Sequence, residues 1–277
     1  MKAFYHDSDL DGHCSGALIK IKHPECELIG INYGDKFPWG AINDKNEVVF
    51  MVDFALQPFS DMVKLEKQCK LIWIDHHISA INIAHSTGFL AKEQSLEDGI
   101  GACVLVFKYL FPDKILPTFV KLLGEYDVWN HTDPRALPFQ YGMRLLDTKP
   151  ENTQMWHTLF DVEMVHRIVE DGGIVLKYIN QYNDKYARAC MFEIEIDKLK
   201  CIAINKMLAN SQLFDSIWDE KKYHAMVTFG WRNKSWTVSL YTTRNDVDVS
   251  IIAKNRGGGG HRQAAGFQCH ELPFLLT

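Results

Sequence analysis

With 277 residues, 47% of them hydrophobic and 23% charged, the chain is longer than one compact domain usually is and carries enough apolar residues for two buried cores. Its composition excludes a disordered or low-complexity protein, and no apolar run approaches the ~18 residues that a membrane-spanning helix needs. A net charge of -5 argues against an extended grip on duplex nucleic acid, so a nucleotide ligand should be short, and the early acids of MKAFYHDSDLDG speak against a signal peptide and for a cytoplasmic protein.

KAFYH reads as a short apolar strand that stops at a cluster of acids, and HCSGALIKIK, after Gly12, has helical composition. Strand-like runs follow at 27–33 (ELIGINY) and 48–54 (VVFMVDF), then a helical PFSDMVKLEKQCK and another strand, LIWIDHH, at 71–77. Nearly continuous apolar strands separated by helices predict a parallel sheet covered on both faces, with ligands beyond the carboxyl ends of its strands. GACVLVFKYLF and PTFVKLLGEYDVW continue as helices, and helical composition persists over 151–190. Beyond it come short strand-like runs (MFEIEI, KCIAIN, YHAMVTFG, SWTVSLYT), with helices expected around NSQLFDSIW and DVSIIAKN. The expected organisation is α/β: a parallel-sheet catalytic domain over 1–135, a helical connector over 136–190 and a smaller α/β domain over 191–277. The seven cysteines form no CxxC pair and their number is odd, so reduced thiols are expected rather than a disulfide framework or a thiolate metal site. Trp39, Trp129, Trp218 and Trp231 are expected in cores.

Four distant segments each place Asp or His at the end of an apolar run: His6, Asp9 and Asp11; Asp53; Asp75, His76 and His77; and Asp127. One such ending is an ordinary helix cap or turn. Four carboxylates and two imidazoles at one sheet edge would repel and be costly to desolvate unless cations neutralised them, and a formal charge of minus four from Asp9, Asp11, Asp53 and Asp127 balances two divalent ions. Oxygen ligands with some imidazole suit Mn²⁺, with Mg²⁺ or Co²⁺ as alternatives. Two such ions catalyse hydrolysis of a phosphoester or phosphoanhydride. At the other end, GGGGHRQAAGF (257–267) lets backbone N–H groups approach an anion, and Arg244 is a candidate second phosphate contact.

At these residues the sequence resembles the DHH phosphoesterase superfamily. Ile74-Asp75-His76-His77 supplies the name motif, His6-Asp7-Ser8-Asp9-Leu10-Asp11-Gly12 the first motif, Val52-Asp53 the second and Gly124-Glu125-Tyr126-Asp127 the fourth, while GGGGHRQAAGF is similar to the signature of the DHH-associated C-terminal domain. The resemblance implies that His6 and Asp9 hold one ion, that Asp11, His76 and Asp127 hold the other, and that Asp53 bridges them. It implies a substrate-facing His77, an Asp75 that orients His76 or ligates directly, and a nucleotide end gripped by Gly258, Gly259, Gly260, His261 and Arg262. Asp7, which the family pattern does not require, is expected to be a solvent-facing turn residue, and His131 and Asp133 follow motif four as a capped turn.

Length and the wording around YDVWNHTDPRALPFQYGM place the resemblance nearest to the short oligoribonuclease (nanoRNase) group, which implies release of 5′-mononucleotides from short single-stranded RNA or DNA. Rival readings are hydrolysis of 3′-phosphoadenosine 5′-phosphate, of linear or cyclic dinucleotides or of pyrophosphate, and, outside enzymes, a nucleotide-binding module. Oligomeric state is left open.

Overall fold

The computed structural model describes residues 1–130 and 132–274, and the chain forms two compact units, Met1–Leu176 and Lys177–Thr277. In chain order the first unit contains β1 (Lys2–His6), α1 (Leu10–Lys22), β2 (Glu27–Ile31), β3 (Val48–Val52), α2 (Ser60–Glu66), β4 (Lys70–Asp75), α3 (Ile78–Thr87) and β5 (Glu93–Leu96). Four helices follow: α4 (Ala102–Leu110), α5 (Thr118–Asp127), α6 (Ala136–Met143) and α7 (Thr153–Thr158). The long α8 (Val162–Cys190) begins in this unit and continues into the second.

The sheet of unit 1 has the order β2-β1-β3-β4-β5, with every neighbouring pair parallel. Successive side chains of a strand point to opposite faces, so a strand that is apolar throughout must be covered twice. Ala3, Tyr5, Phe50, Val52, Ile72 and Ile74 share one core with α1, α4 and α5, while Phe4, Val49, Met51, Leu71 and Trp73 share another with Met62 and Leu65 of α2 and Ala80 and Ala84 of α3. Burial of each large side chain among these contributes roughly 2 kcal/mol. The chain leaves β1 for β2 on one side and later enters β3 on the other, so the strand order reverses between β1 and β3. That crevice is where open α/β sheets bind ligands.

The expected 136–190 connector divides between the units. Ala136, Phe139, Met143, Trp156 and Leu159 are buried in the core that contains α1 and α5, so 136–176 pack as part of unit 1. Helicity also breaks between α7 and α8.

Unit 2 contains β6 (Phe192–Ile196), β7 (Leu199–Asn205), β8 (Ala225–Arg232), β9 (Ser235–Tyr241), α9 (Val249–Lys254), β10 (Gly259–Gly260) and β11 (Ala264–Cys269). Its sheet runs β10-β11-β9-β8-β7-β6, antiparallel except for the β7–β8 pair. The helix expected at NSQLFDSIW is a single 3₁₀ turn, Ser211–Phe214, opened by the Asn210 side chain accepting from the Gln212 N–H. Two expected core tryptophans are half exposed, Trp129 at 49% and Trp231 at 55%. The cysteines are free thiols, most of them buried. No helix among the described residues is long and apolar enough to cross a membrane.

Candidate metal centre

β1 ends at His6, Asp53 follows β3, and β4 ends at Asp75 with His76 and His77 next in the chain. Parallel strands in register therefore deliver these groups to one edge. Asp9 caps α1 and accepts from the Gly12 N–H at 2.9 Å, Asp11 lies in the first turn of that helix, and Asp127 is the last residue of α5. Asp53 leaves the strand in the left-handed region, at φ 55°, while its N–H still donates to the Ile74 carbonyl at 2.9 Å. Asp tolerates that conformation better than most residues, at a cost on the order of 1 kcal/mol.

The structure brings all six expected ligands together. His6 Nδ1 lies 2.8 Å from Asp9 Oδ2 and 3.6 Å from Asp53 Oδ2. His76 Nε2 lies 3.2 Å from Asp53 Oδ1, 3.2 Å from Asp127 Oδ2 and 3.9 Å from Asp11 Oδ2. Two sets of donor atoms are compact enough to hold a cation, His6/Asp9/Asp53 and Asp11/His76/Asp127, and a third, Asp53/His76/His77, joins them.

Whether the residues fit a cation is decided by Asp53. Its side chain is buried, and neither carboxylate oxygen accepts a hydrogen bond. A buried carboxylate with two orphaned oxygens is costly on its own and is satisfied by a cation. Burial, followed by repulsion from Asp9 and Asp11, pushes the Asp53 carboxyl well above the usual carboxylate range, and burial with Asp11, Asp53 and Asp9 does the same to Asp127. Burial works to lower the pKa of His6, but the neighbouring carboxylates of Asp53 and Asp9 outweigh it and raise the imidazole to about 10.

Asp11 has an additional hold that its sequence context does not reveal. Its carboxylate accepts from the Ala102 N–H at 2.6 Å and the Cys103 N–H at 2.9 Å, at the N-terminus of α4, where unpaired amides favour an anion. The neighbouring helix α5 comes close enough to place Asp127 beside it. A Cβ on Gly101 would lie 2.5 Å from Gly124 Cα, and one on Gly124 would lie 2.6 Å from Val104 Cγ2, so both glycines are required by the approach.

Two expected roles are corrected. Asp75 Oδ1 holds the ring of His77, at 2.7 Å from its Nδ1, whereas it meets His76 only through the backbone N–H, also at 2.7 Å. Asp75 therefore orients His77 rather than His76, and it belongs to none of the compact donor sets. Burial works to lower the pKa of His77, and the hydrogen bond its ring donates to Asp75 raises it. Asp7 is not a solvent-facing turn residue: it accepts from His13 Nε2 at 3.0 Å and from Lys149 Nζ at 2.7 Å, and His13 Nδ1 meets Thr148 Oγ1 at 3.0 Å. No local signal could show this, because Lys149 lies 142 residues away. An aromatic layer was missed as well, with the Tyr33 and Phe54 rings 5.6 and 5.8 Å from His6.

No family model matches the sequence. Among curated proteins, the uncharacterized protein R106 of Acanthamoeba polyphaga mimivirus is 26% identical over 236 residues, 80% of this chain and 53% of that protein, so the chain spans about half the length of this relative. Oligoribonuclease NrnB of Bacillus subtilis is 25% identical over 96% of this chain and 72% of its own. The solved structure of the pGpG-specific phosphodiesterase PggH from Vibrio cholerae superposes with a TM-score of 0.56 at 11% identity, covering 96% of this chain and 92% of that one, which shows a shared fold. The chain thus shares the fold of this phosphodiesterase and is similar in sequence to the oligoribonuclease over nearly its whole length.

In unit 2 the glycine-rich segment is a hairpin rather than a plain loop. Gly258 and Gly260 are required by packing: a Cβ on Gly258 would lie 2.1 Å from the Gly266 carbonyl, and Gly260 has φ +133° with Ala264 and Ala265 against it. A Cβ on Gly259 would meet nothing within 4 Å, which leaves Gly259 as the position where a ligand can approach the backbone. His261 pairs with Ala264 through two backbone hydrogen bonds, and its N–H donates at 2.7 Å. The exposed Arg262 guanidinium donates to the Asn245 carbonyl and lies 3.9 Å from Asp248 Oδ2. Arg244, by contrast, is committed to Asp246, with Nε donating at 2.9 Å, and to the Glu220 carbonyl at 2.6 Å. His131 lies outside the described residues. Asp133 accepts from the Arg135 backbone at 3.1 Å and from Arg135 Nε at 3.0 Å, as a turn residue would.

Proposed function

We propose that the chain is a divalent-metal-dependent phosphodiesterase that hydrolyses short oligonucleotides and releases 5′-mononucleotides. The observation that carries this reading is the Asp53 carboxylate, buried between His6 and His76 with both oxygens lacking hydrogen bonds. His6 and Asp9 would hold one cation, Asp11, His76 and Asp127 a second, and Asp53 both, with Mn²⁺ the expected metal and Mg²⁺ or Co²⁺ as alternatives. Bound there, two divalent cations supply positive charge to the phosphoryl oxygens and acidify the attacking water.

The chain's own residues do the rest. Asp75 fixes Nδ1 of His77 and favours its charged form, so we assign Nε2 to donate to the phosphate or to carry a proton toward the leaving oxygen. Asp11, pinned by the α4 amides, keeps the second donor set in place as substrate binds. In unit 2, the backbone at Gly259 with His261 and Arg262 would take a substrate phosphate. A nucleotide-binding module would need no buried, uncompensated carboxylate, which favours an enzyme. The name of NrnB supports oligoribonucleotides and that of PggH supports dinucleotides, the shortest of the same class.

The test is a ladder of 5′-labelled RNA and DNA, from dinucleotides to decanucleotides, incubated with Mn²⁺ and then with chelator. Shortening of the smallest members that stops with chelator is expected. An unchanged ladder, or full activity in chelator, would sink the reading.

A further inference from the structure

Beside the acid–histidine cluster, unit 1 contains a pocket of about 420 Å³ that the hydrolytic chemistry does not use. That volume lies within the range of small-ligand sites. Tyr33, Phe37, Trp39 and Phe54 line it. The Tyr33 and Phe54 rings pack against each other, with centroids 4.5 Å apart and planes tilted by 32°, and Phe37 meets Trp39 edge-on at 4.7 Å. Two of its lining residues also flank the cluster: the Tyr33 ring is 5.6 Å from His6 and 6.3 Å from His77, and the Phe54 ring is 5.8 Å from His6. A ligand whose phosphate lies at the cluster therefore has an aromatic recess within one nucleotide's reach, and flat rings are what such a recess retains.

The polar lining narrows the ligand further. Asp35 already accepts from the Asn32 N–H at 2.9 Å, whereas Asp61, in the first turn of α2, makes no ion pair among the described residues. A half-buried carboxylate is an acceptor without donors, and it matches a base edge with adjacent N–H groups. Guanine presents two such donors side by side, while the corresponding edges of adenine and uracil place an acceptor next to the donor and would meet the carboxylate with repulsion.

We propose that this pocket seats the base of the nucleotide whose phosphate lies at the cluster, stacks it on Tyr33 and Phe54, and selects guanine through Asp61. The proposal rests on the phosphodiesterase reading, and its test separates the two. Dinucleotides carrying guanosine, adenosine or an abasic residue at each position are compared by kcat/KM, and each comparison is a ratio measured on one protein, so a loss of folding or metal cancels. The wild type should favour guanosine over the abasic substrate by about tenfold or more at one position. Asp61→Asn should bring the guanosine-to-adenosine ratio toward one, and Tyr33→Leu should lower the guanosine-to-abasic ratio. Equal cleavage of abasic and guanosine substrates by the wild type, or an unchanged guanosine-to-adenosine ratio in Asp61→Asn, overturns the proposal. If the wild type cleaves none of them, the phosphodiesterase reading fails. The pocket is then judged by equilibrium dialysis with GMP and ribose 5-phosphate: selective retention of GMP that Asp61→Asn abolishes supports it, and equal retention overturns it.

Discussion

The two units treat charge in opposite ways. In unit 2 the charged groups are matched locally: Arg256 pairs with Asp197, Arg244 with Asp246, and Lys200 and Lys222 with Glu193. In unit 1 the parallel sheet gathers Asp9, Asp11, Asp53 and Asp127 around His6 and His76, and the Asp53 carboxylate is left without a hydrogen bond. Matched surface pairs are worth little and are ordinary for a folded domain. A buried acidic cluster opposes folding, and it is retained where a cation and its chemistry compensate. On the proposed reading the chemistry lies in unit 1, and unit 2 is assigned substrate binding.

The comparison breaks first at Asp53. Asp53→Asn should lower turnover by about 10³-fold or more and reduce metal content, because one carboxylate serves both donor sets. In metal-free protein the same change relieves repulsion, so its melting temperature should rise by about 2–4 °C while the stabilisation by Mn²⁺ seen in wild type is lost. A metal-free variant that melts lower than wild type would show that the cluster is not strained. Metal binding should also depend on pH with a definite sign. His6 holds a proton up to about 10 in the metal-free state, so a cation must displace it. Affinity should therefore rise with pH, by about tenfold per unit for each proton displaced, and calorimetry in buffers of different ionisation enthalpy should detect proton release.

Next in size is His77. His77→Ala should slow turnover by about 10²-fold with metal content retained, and loss of metal would instead make His77 a ligand. Asp75→Asn should cost less and move the basic limb of the rate profile to lower pH, because the hydrogen bond that raises the His77 pKa is weakened. The smallest effects sharpen the picture of unit 2. Arg262→Ala should raise KM severalfold with metal content unchanged, whereas Arg244→Ala, already committed to Asp246 and the Glu220 carbonyl, should change KM by less than about twofold. Equal effects of the two arginines would remove the distinction.

What the sequence disclosed follows from the range of its signals. The strand ends bearing His6, Asp53 and Asp75 were legible because each closes an apolar run whose burial on two faces demands a parallel sheet. β5 was not, because EQSL is a half-exposed edge strand without an apolar pattern. The hairpin of β10 and β11 was hidden by its own glycines, which read as a ligand loop while two of them serve packing. The partner of Asp11, at the start of α4, lies 91 residues away, and nothing near Asp11 announces it. The hold of Asp75 on the His77 ring is hidden because adjacent positions in a chain do not reveal which ring turns back toward the carboxylate.

The contact of Gly101 with Gly124 has a consequence for ion size. Asp11 is fixed by the amides that directly follow Gly101, and Asp127 lies three residues beyond Gly124, so the gap between these two carboxylates is set by how closely two helix backbones approach. A methyl group at either glycine would act as a shim, spreading the oxygens without altering any of them. The ionic radius the second donor set accepts is thus gauged by a contact with no chemistry of its own, and Gly124→Ala should shift its preference from Mn²⁺ toward the larger Ca²⁺, readable by competition binding.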